Sequence, residues 1–299
     1  MDHQAGIQDV TDRHEGFIRL VEAKGGSGAV FGSTTVETAS AQRHAIRWAW
    51  RLAQAALPWL LLLLAWSAIR ASGLVSATFL PSPEQVFAEG WRQAASGELW
   101  VHLFASAARV VGGVLIGTAM ALPIGFLLGR LPMARLFGEP LLHFFRALPP
   151  IALIPLVIVY FGIGESAKLI VLSLAAFFTA VIVLYDGIAQ LPPIYVQVAR
   201  TLGATEREVF TRIILPQTLP HLFTAMRLAL GVAWATVVAA ELIAAQHGLG
   251  AMIQIAASFF QIETIFLGII CIGVTALLMD RGLSALSTRM LRWQERLHP

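Results

Sequence analysis

The uncharged apolar runs constrain this chain most. Leu52 to Ile69, Val110 to Gly129, Ala147 to Gly164 and Leu169 to Tyr185 contain no Asp, Glu, Lys or Arg. A helix needs about 20 largely apolar residues to cross the hydrocarbon core of a bilayer. These four runs are therefore read as membrane spans. A fifth is placed at about 222–244, where Leu228 to Ala240 is uncharged and Arg227 and Glu241 fall near the two surfaces or face protein. Thr264 to Met279, extended toward Leu286, supplies the sixth. Leu242 to Ile262 is also uncharged, but Gln246, His247, Gly248, Gly250, Gln254 and Gln261 make it too polar to span. It is read as a short helix at or dipping into the interface.

Composition agrees, with 57% hydrophobic and 13% charged residues against roughly 25% charged in soluble domains. Only two lysines, Lys24 and Lys168, are present, and the arginines are scattered between apolar runs, so the basic balance fits short loops and no nucleic-acid partner. With a single cysteine, Cys271, the chain has no disulfide framework or Cys-based metal site. His102, His143, His221 and His247 are widely separated, so neither metal nor cofactor is expected. Residues 1–48 mix acids, arginines and a Gly/Ser/Thr-rich stretch without a secretory apolar core, and are read as a polar, flexible cytoplasmic extension. Residues 49–299 form the membrane domain.

Six spans place both termini on one side, and charge chooses the side. With the N-terminus inside, Arg43, Arg47, Arg51, Arg130, Arg135, Arg146, Arg200, Arg207, Arg212, Arg227, Arg281, Arg289, Arg292 and Arg296 are cytoplasmic. Only Arg70, Arg92, Arg109 and Lys168 remain outside, the asymmetry expected of a multi-pass inner-membrane protein. Trp48, Trp50, Trp91, Trp100 and Trp293 fall at the interfaces, where amphipathic rings prefer to sit.

Two segments outside the spans are punctuated enough to read locally. In 73–101, Ser82 caps a helix with Pro83 at its first position, and Val86, Phe87, Gly90 and Trp91 follow at helical spacing. In the cytoplasmic loop 187–221, Pro193 begins a helix that Gly203 ends. Thr205-x-x-Glu208 is a capping box that begins a second helix at Glu206. Glu208 and Arg212 pair on its polar side, and Leu215-Pro216 is expected to stop it, leaving a short helix parallel to the membrane surface.

Within that loop, Gln197-Val198-Ala199-x3-Gly203-x9-Ile213-x-Leu215-Pro216 resembles the E-A-A-x3-G-x9-I-x-L-P loop of permease subunits in binding-protein-dependent ABC importers. Gln197 stands where the pattern has Glu, and Val198 where it has its first Ala. Leu80-Pro81-Ser82-Pro83, Ala147-Leu148-Pro149-Pro150, Tyr160-Phe161-Gly162-Ile163-Gly164 and Ala239-Ala240-Glu241 with Gly248-Leu249-Gly250 extend the likeness to the nitrate/sulfonate/taurine group. The resemblance implies an all-α type I importer permease and two copies of the chain around the pathway. It further implies a periplasmic or extracellular binding protein and a separate ATPase. The chain has no G-x-x-x-x-G-K-[S/T] phosphate loop and is expected not to be an enzyme.

At the joint with the ATPase, Gln197, Ala199, Gly203, Ile213, Leu215 and Pro216 carry the motif. Glu206, Arg207, Glu208 and Arg212 are the candidate polar contacts there, and Phe210 the apolar anchor. Arg109 and Glu241, costly in lipid, are candidates for the pathway or an outer gate, with an ion pair between them favoured over substrate contact. A secondary transporter is the competing reading, without an inverted repeat to support it. An intramembrane enzyme lacks any G-x-S-x-G or H-E-x-x-H.

Overall fold

The computed structural model describes residues 50, 53–54, 56–76 and 78–292. The extension 1–48, Trp48 and Trp293 lie outside them, as does part of the first expected span. The described residues are helical, with no strand among them. They fall into two units divided after Ala71. In the first unit, α1 covers Ala56–Ala71, apolar but shorter than a full crossing.

The second unit holds the remaining helices. Its elements are α2 (Pro83–Ser96), α3 (Glu98–Arg130), α4 (Pro132–Ala147), α5 (Pro150–Phe161) and α6 (Glu165–Ala189). They continue with α7 (Pro193–Thr201), α8 (Glu206–Val209), α9 (Leu215–Ala244), α10 (Leu249–Ser258) and α11 (Ile262–Met290). The helices α3, α6 and α11, together with the continuous stretch Glu206–Ile243, are long and apolar enough to cross a membrane; the bent pair α4–α5 makes a fifth crossing.

That bent pair corrects one expected span. Ala147 to Gly164 is not one straight helix: α4 and α5 meet at 91°. Leu148 and Pro149 each precede a proline and are therefore held in extended backbone, with ψ of 123° and 126°. The 12 residues of α5 reach only about 18 Å at 1.5 Å per residue, so the crossing needs α4 as well.

The centre of the unit is the pair α3 and α6. On α3, Gly113, Gly117, Ala121, Gly125 and Gly129 recur every fourth residue and form one bare stripe. Opposite it lie Leu172, Ala176, Ala180, Leu184 and Ile188, all at most 2% exposed. A Cβ at Gly125 would stand 2.8 Å from Leu184 Cβ, and one at Gly129 2.8 Å from Ile188 Cβ, so the small residues set the helix separation. Phe177, Val181, Tyr185, Leu142 and Ala225 extend this core toward α4 and α9.

Outside the core, α2 is built as its sequence predicts. Ser82 Oγ accepts from Gln85 N–H, and Gln85 Oε1 accepts from Ser82 N–H. The helix is tied to α11 by Thr264 Oγ1, which donates to Glu89 Oε1 at 3.1 Å. On its open side Phe87 and Trp91, one turn apart, are more than 70% exposed. At the other end of the spans, Arg227 of α9 and Asp280 of α11 form a two-pronged ion pair at 2.5 and 2.7 Å.

Candidate functional site

Two places gather the polar residues that the spans can least tolerate. The first begins on α3, where His102, Ser106 and Arg109 follow at helical spacing on the face that continues into Gly113 and Gly117. All three are buried. Arg109 Nη1 donates to Glu241 Oε1 at 2.5 Å and to the His247 carbonyl at 2.6 Å. Its Nε and Nη2 donate to the two oxygens of Glu165 at 2.6 and 2.8 Å. Lys168 Nζ, also buried, reaches Glu165 Oε1 at 2.8 Å.

Glu241 is 1% exposed and would be prohibitive in lipid alone. Besides Arg109 it accepts from Gly250 N–H at 2.9 Å, and Ser106 Oγ lies 2.8 Å from both carboxylate oxygens. The turn between α9 and α10 is held by the same residues. Leu249 N–H donates to Ser106 Oγ at 2.8 Å and Gly248 N–H to His102 Nδ1 at 3.0 Å. Gly248 has φ of +139°, and a Cβ there would run into the Glu241 carboxylate.

Two cations and two carboxylates thus balance in one cluster joining α3, α6, α9 and the start of α10. Arg109, with both edges of its guanidinium engaged, has no two-pronged face left for a further oxyanion. The expected pairing of Arg109 with Glu241 is present. Glu165 and Ser106 were not singled out from sequence, and Lys168 and His102 were given no part in a site there. The signals available were the spacing of the polar residues on α3 and the pair Glu165-x-x-Lys168 at the start of α6.

The second place is the loop expected at 187–221. α7 ends in a Schellman arrangement, with Gly203 N–H donating to Arg200 O and Ala204 N–H to Ala199 O, both at 3.0 Å. Gly203 has φ of +83°, the left-handed conformation predicted for it. The Thr205–Glu208 capping box is present in both directions. Arg212 lies 3.6 Å from Glu208, and Arg200 pairs with Glu206 at 2.8 Å. Leu202, Gly203, Ala204, Glu208, Arg212 and Ile213 line an open groove of about 320 Å³.

One expectation here is altered. Leu215-Pro216 does not stop the second helix: Phe210–Ile214 forms a π-turn, and the chain runs on into α9. Proline lacks an N–H and crowds the carbonyl four residues back; widening the preceding turn, with Leu215 N–H donating to Phe210 O, lets the helix continue. The segment is therefore the rigid start of a span, not a separate surface helix. Phe210, expected as the apolar anchor of the joint, is 42% exposed and packs its ring against Phe126 of α3 at 5.3 Å between centroids. Gln197 lines a separate cavity that shares no lining residue with the groove.

Both the sequence and the fold are similar to those of known proteins. Residues 102–292 match the family described as binding-protein-dependent transport system inner membrane component. The chain belongs to that family. It is 43% identical over 231 residues to a probable ABC transporter permease protein of Brucella abortus, covering 77% of this chain and 91% of the relative. To the taurine transport system permease protein of Escherichia coli it is 35% identical, over 78% of this chain and 86% of that one. To the putative aliphatic sulfonates transport permease protein of Bacillus subtilis it is 36% identical, over 77% and 83%.

Among solved structures, a chain of the inward-facing MetNI methionine ABC transporter matches with a TM-score of 0.52. At 21% identity, over 62% of this chain and 96% of that one, the match supports the fold. The protein is thus a multi-pass inner-membrane permease subunit of an ABC transporter, and ATP hydrolysis belongs to a partner.

Proposed function

We propose that this permease carries a small anionic or zwitterionic solute of the sulfonate or taurine type, with two copies of the chain enclosing the pathway. The observation that carries the substrate class is the identity of 35–36% over more than three quarters of the chain to permeases named for taurine and aliphatic sulfonates. A bicarbonate permease at 30% keeps the class at small solutes of this kind. A binding protein delivers the solute from outside. The 1–48 extension stays outside the membrane domain 49–299.

The ATPase engages the loop 187–221 at the groove beside Gly203. Glu206, Arg207, Glu208 and Arg212 supply polar contacts there, and Gln197, Ala199, Ile213, Leu215 and Pro216 set the frame. Because the π-turn joins this segment to α9, a push on α8 is delivered along a span. Arg109 and Glu241 fasten the outer ends of the spans, with Arg109 acting on α9 and α10 more than on solute.

Proteoliposomes holding the permease with its ATPase and binding protein should accumulate taurine or an alkanesulfonate only with ATP. Exclusive uptake of an uncharged solute would refute the substrate class. In the same assay Gly203→Val, at +83° with nothing within 4 Å to clash, should cost on the order of 1–2 kcal/mol locally. Insertion should be normal and transport reduced severalfold. Wild-type uptake by this variant would remove the hinge from the coupling path.

A further inference from the structure

Beside α7, and sharing no lining residue with the Gly203 groove, lies an open cavity of about 300 Å³. It sits where α3 and α6 end, between Gly129 and Arg130, Ile188 to Pro193, α7, and Ile214 and Gln217 at the root of α9. None of its lining residues is acidic. Arg130, Gln197 and Gln217 turn toward it, and none of the three makes a side-chain hydrogen bond or ion pair to another described residue. Arg200, on the same wall, is paired with Glu206. The cavity is therefore polar, cationic and unfilled by the protein's own side chains.

The departure of the loop from its pattern explains the imbalance. Position 197 carries Gln where the pattern has Glu. A carboxylate there would share the cavity with Arg130 and offset its charge, Arg200 being paired with Glu206. With Gln197 the cavity keeps hydrogen-bonding capacity and loses its only candidate anion.

We propose that this cavity binds a phosphate group, held by Arg130 and Arg200 with Gln197 and Gln217 as hydrogen-bonding partners. A guanidinium matches phosphate oxygens in pairs, and Arg130 is free to do so. The floor of Ile188, Leu191, Val196 and Ile214 is apolar and suits the glycerol carbons of a phospholipid. Its height, at the cytoplasmic ends of two spans, is that of the anionic headgroups. A free phosphate ion offers the same chemistry. The ligand braces α7 and so sets how firmly the coupling segment is held.

Binding to the full-length permease in detergent, measured by native mass spectrometry and by phosphorus-31 line broadening, separates the sources. The probes are dioctanoyl phosphatidylglycerol, inorganic phosphate, and dioctanoylglycerol, which lacks the phosphate. The wild type should bind phosphatidylglycerol and not dioctanoylglycerol; competition by millimolar phosphate identifies the free ion as a sufficient ligand, and its absence identifies the lipid. Gln197→Glu and Arg130→Gln should each weaken binding at least tenfold. Arg130→Lys should retain part of it, and Arg281→Gln, elsewhere on the cytoplasmic side, all of it.

Equal binding by Gln197→Glu and the wild type overturns the proposal. So does binding of dioctanoylglycerol, or displacement of the lipid when the ATPase is added, which would mean that a carboxylate of that subunit fills the cavity.

Discussion

At the scale of single residues, the outer cluster is decided by what Glu241 would cost alone. Removing one partner of a buried ion pair strands the other charge, and the penalty exceeds the net worth of the pair. Arg109→Gln should therefore destabilise the permease by about 3 kcal/mol, seen as a lowered melting temperature in detergent. The double variant Arg109→Gln with Glu241→Gln should recover most of the loss, because two neutral amides can share the bonds from Ser106 and Gly250. Glu165 is less exacting, since its side chain is 59% exposed and keeps Lys168. Equal melting temperatures for the single variant and the wild type would show that the cluster is not what holds α9 against α3.

At the scale of elements, α2 offers a pH-dependent attachment outside the spans. The Arg92 guanidinium, first, then Gln93 and Thr264, hold the Glu89 carboxyl down to about 2 from its ordinary 4.5. A carboxyl depressed on folding contributes stability above its unfolded value and loses it as pH falls through the folded one. The tie from α2 to α11 should thus be intact above about pH 4.5 and fade toward pH 2, by roughly 1 kcal/mol. A spin label at Ala95→Cys, with Cys271→Ser, should gain mobility over that window. Glu89→Gln should show raised mobility at every pH, and a pH-dependent response in that variant would assign the effect elsewhere.

At the scale of the whole molecule, orientation follows from the arginines. Of the crossings in the described residues, α3, α6 and α11 run one way and the bent pair and α9 the other. Arg130 therefore shares a side with Arg135, Arg200, Arg207, Arg212 and Arg227, while Arg109 and Lys168 share the opposite end. Cysteines at Ala95 and at Thr205, in the Cys271→Ser background, should react with impermeant reagents from opposite faces, the second only from the cytoplasm. Reaction of both from one face would invert the expected arrangement, including the placement of 187–221 toward the ATPase.

Much of the molecule was legible from local chemistry. Apolar length marked α3, α6, α9 and α11, capping residues placed the starts of α2 and α8, and a glycine obliged to be left-handed ended α7; each signal acts within one or two turns of itself. The glycine stripe on α3 leaves a bare face for close packing. Which helix it meets, and how Glu165 and Lys168 come to Arg109 across 56 and 59 positions, depended on the fold. The same holds for proline. At Pro149-Pro150 it broke a crossing by 91°, because two successive residues were forced out of helical backbone. At Pro216 it did not, because the chain ahead could widen into a π-turn and keep its packing on α3 and α6. Local propensity fixes what a residue resists, whereas the packed neighbours decide whether the backbone bends, widens or breaks to satisfy it.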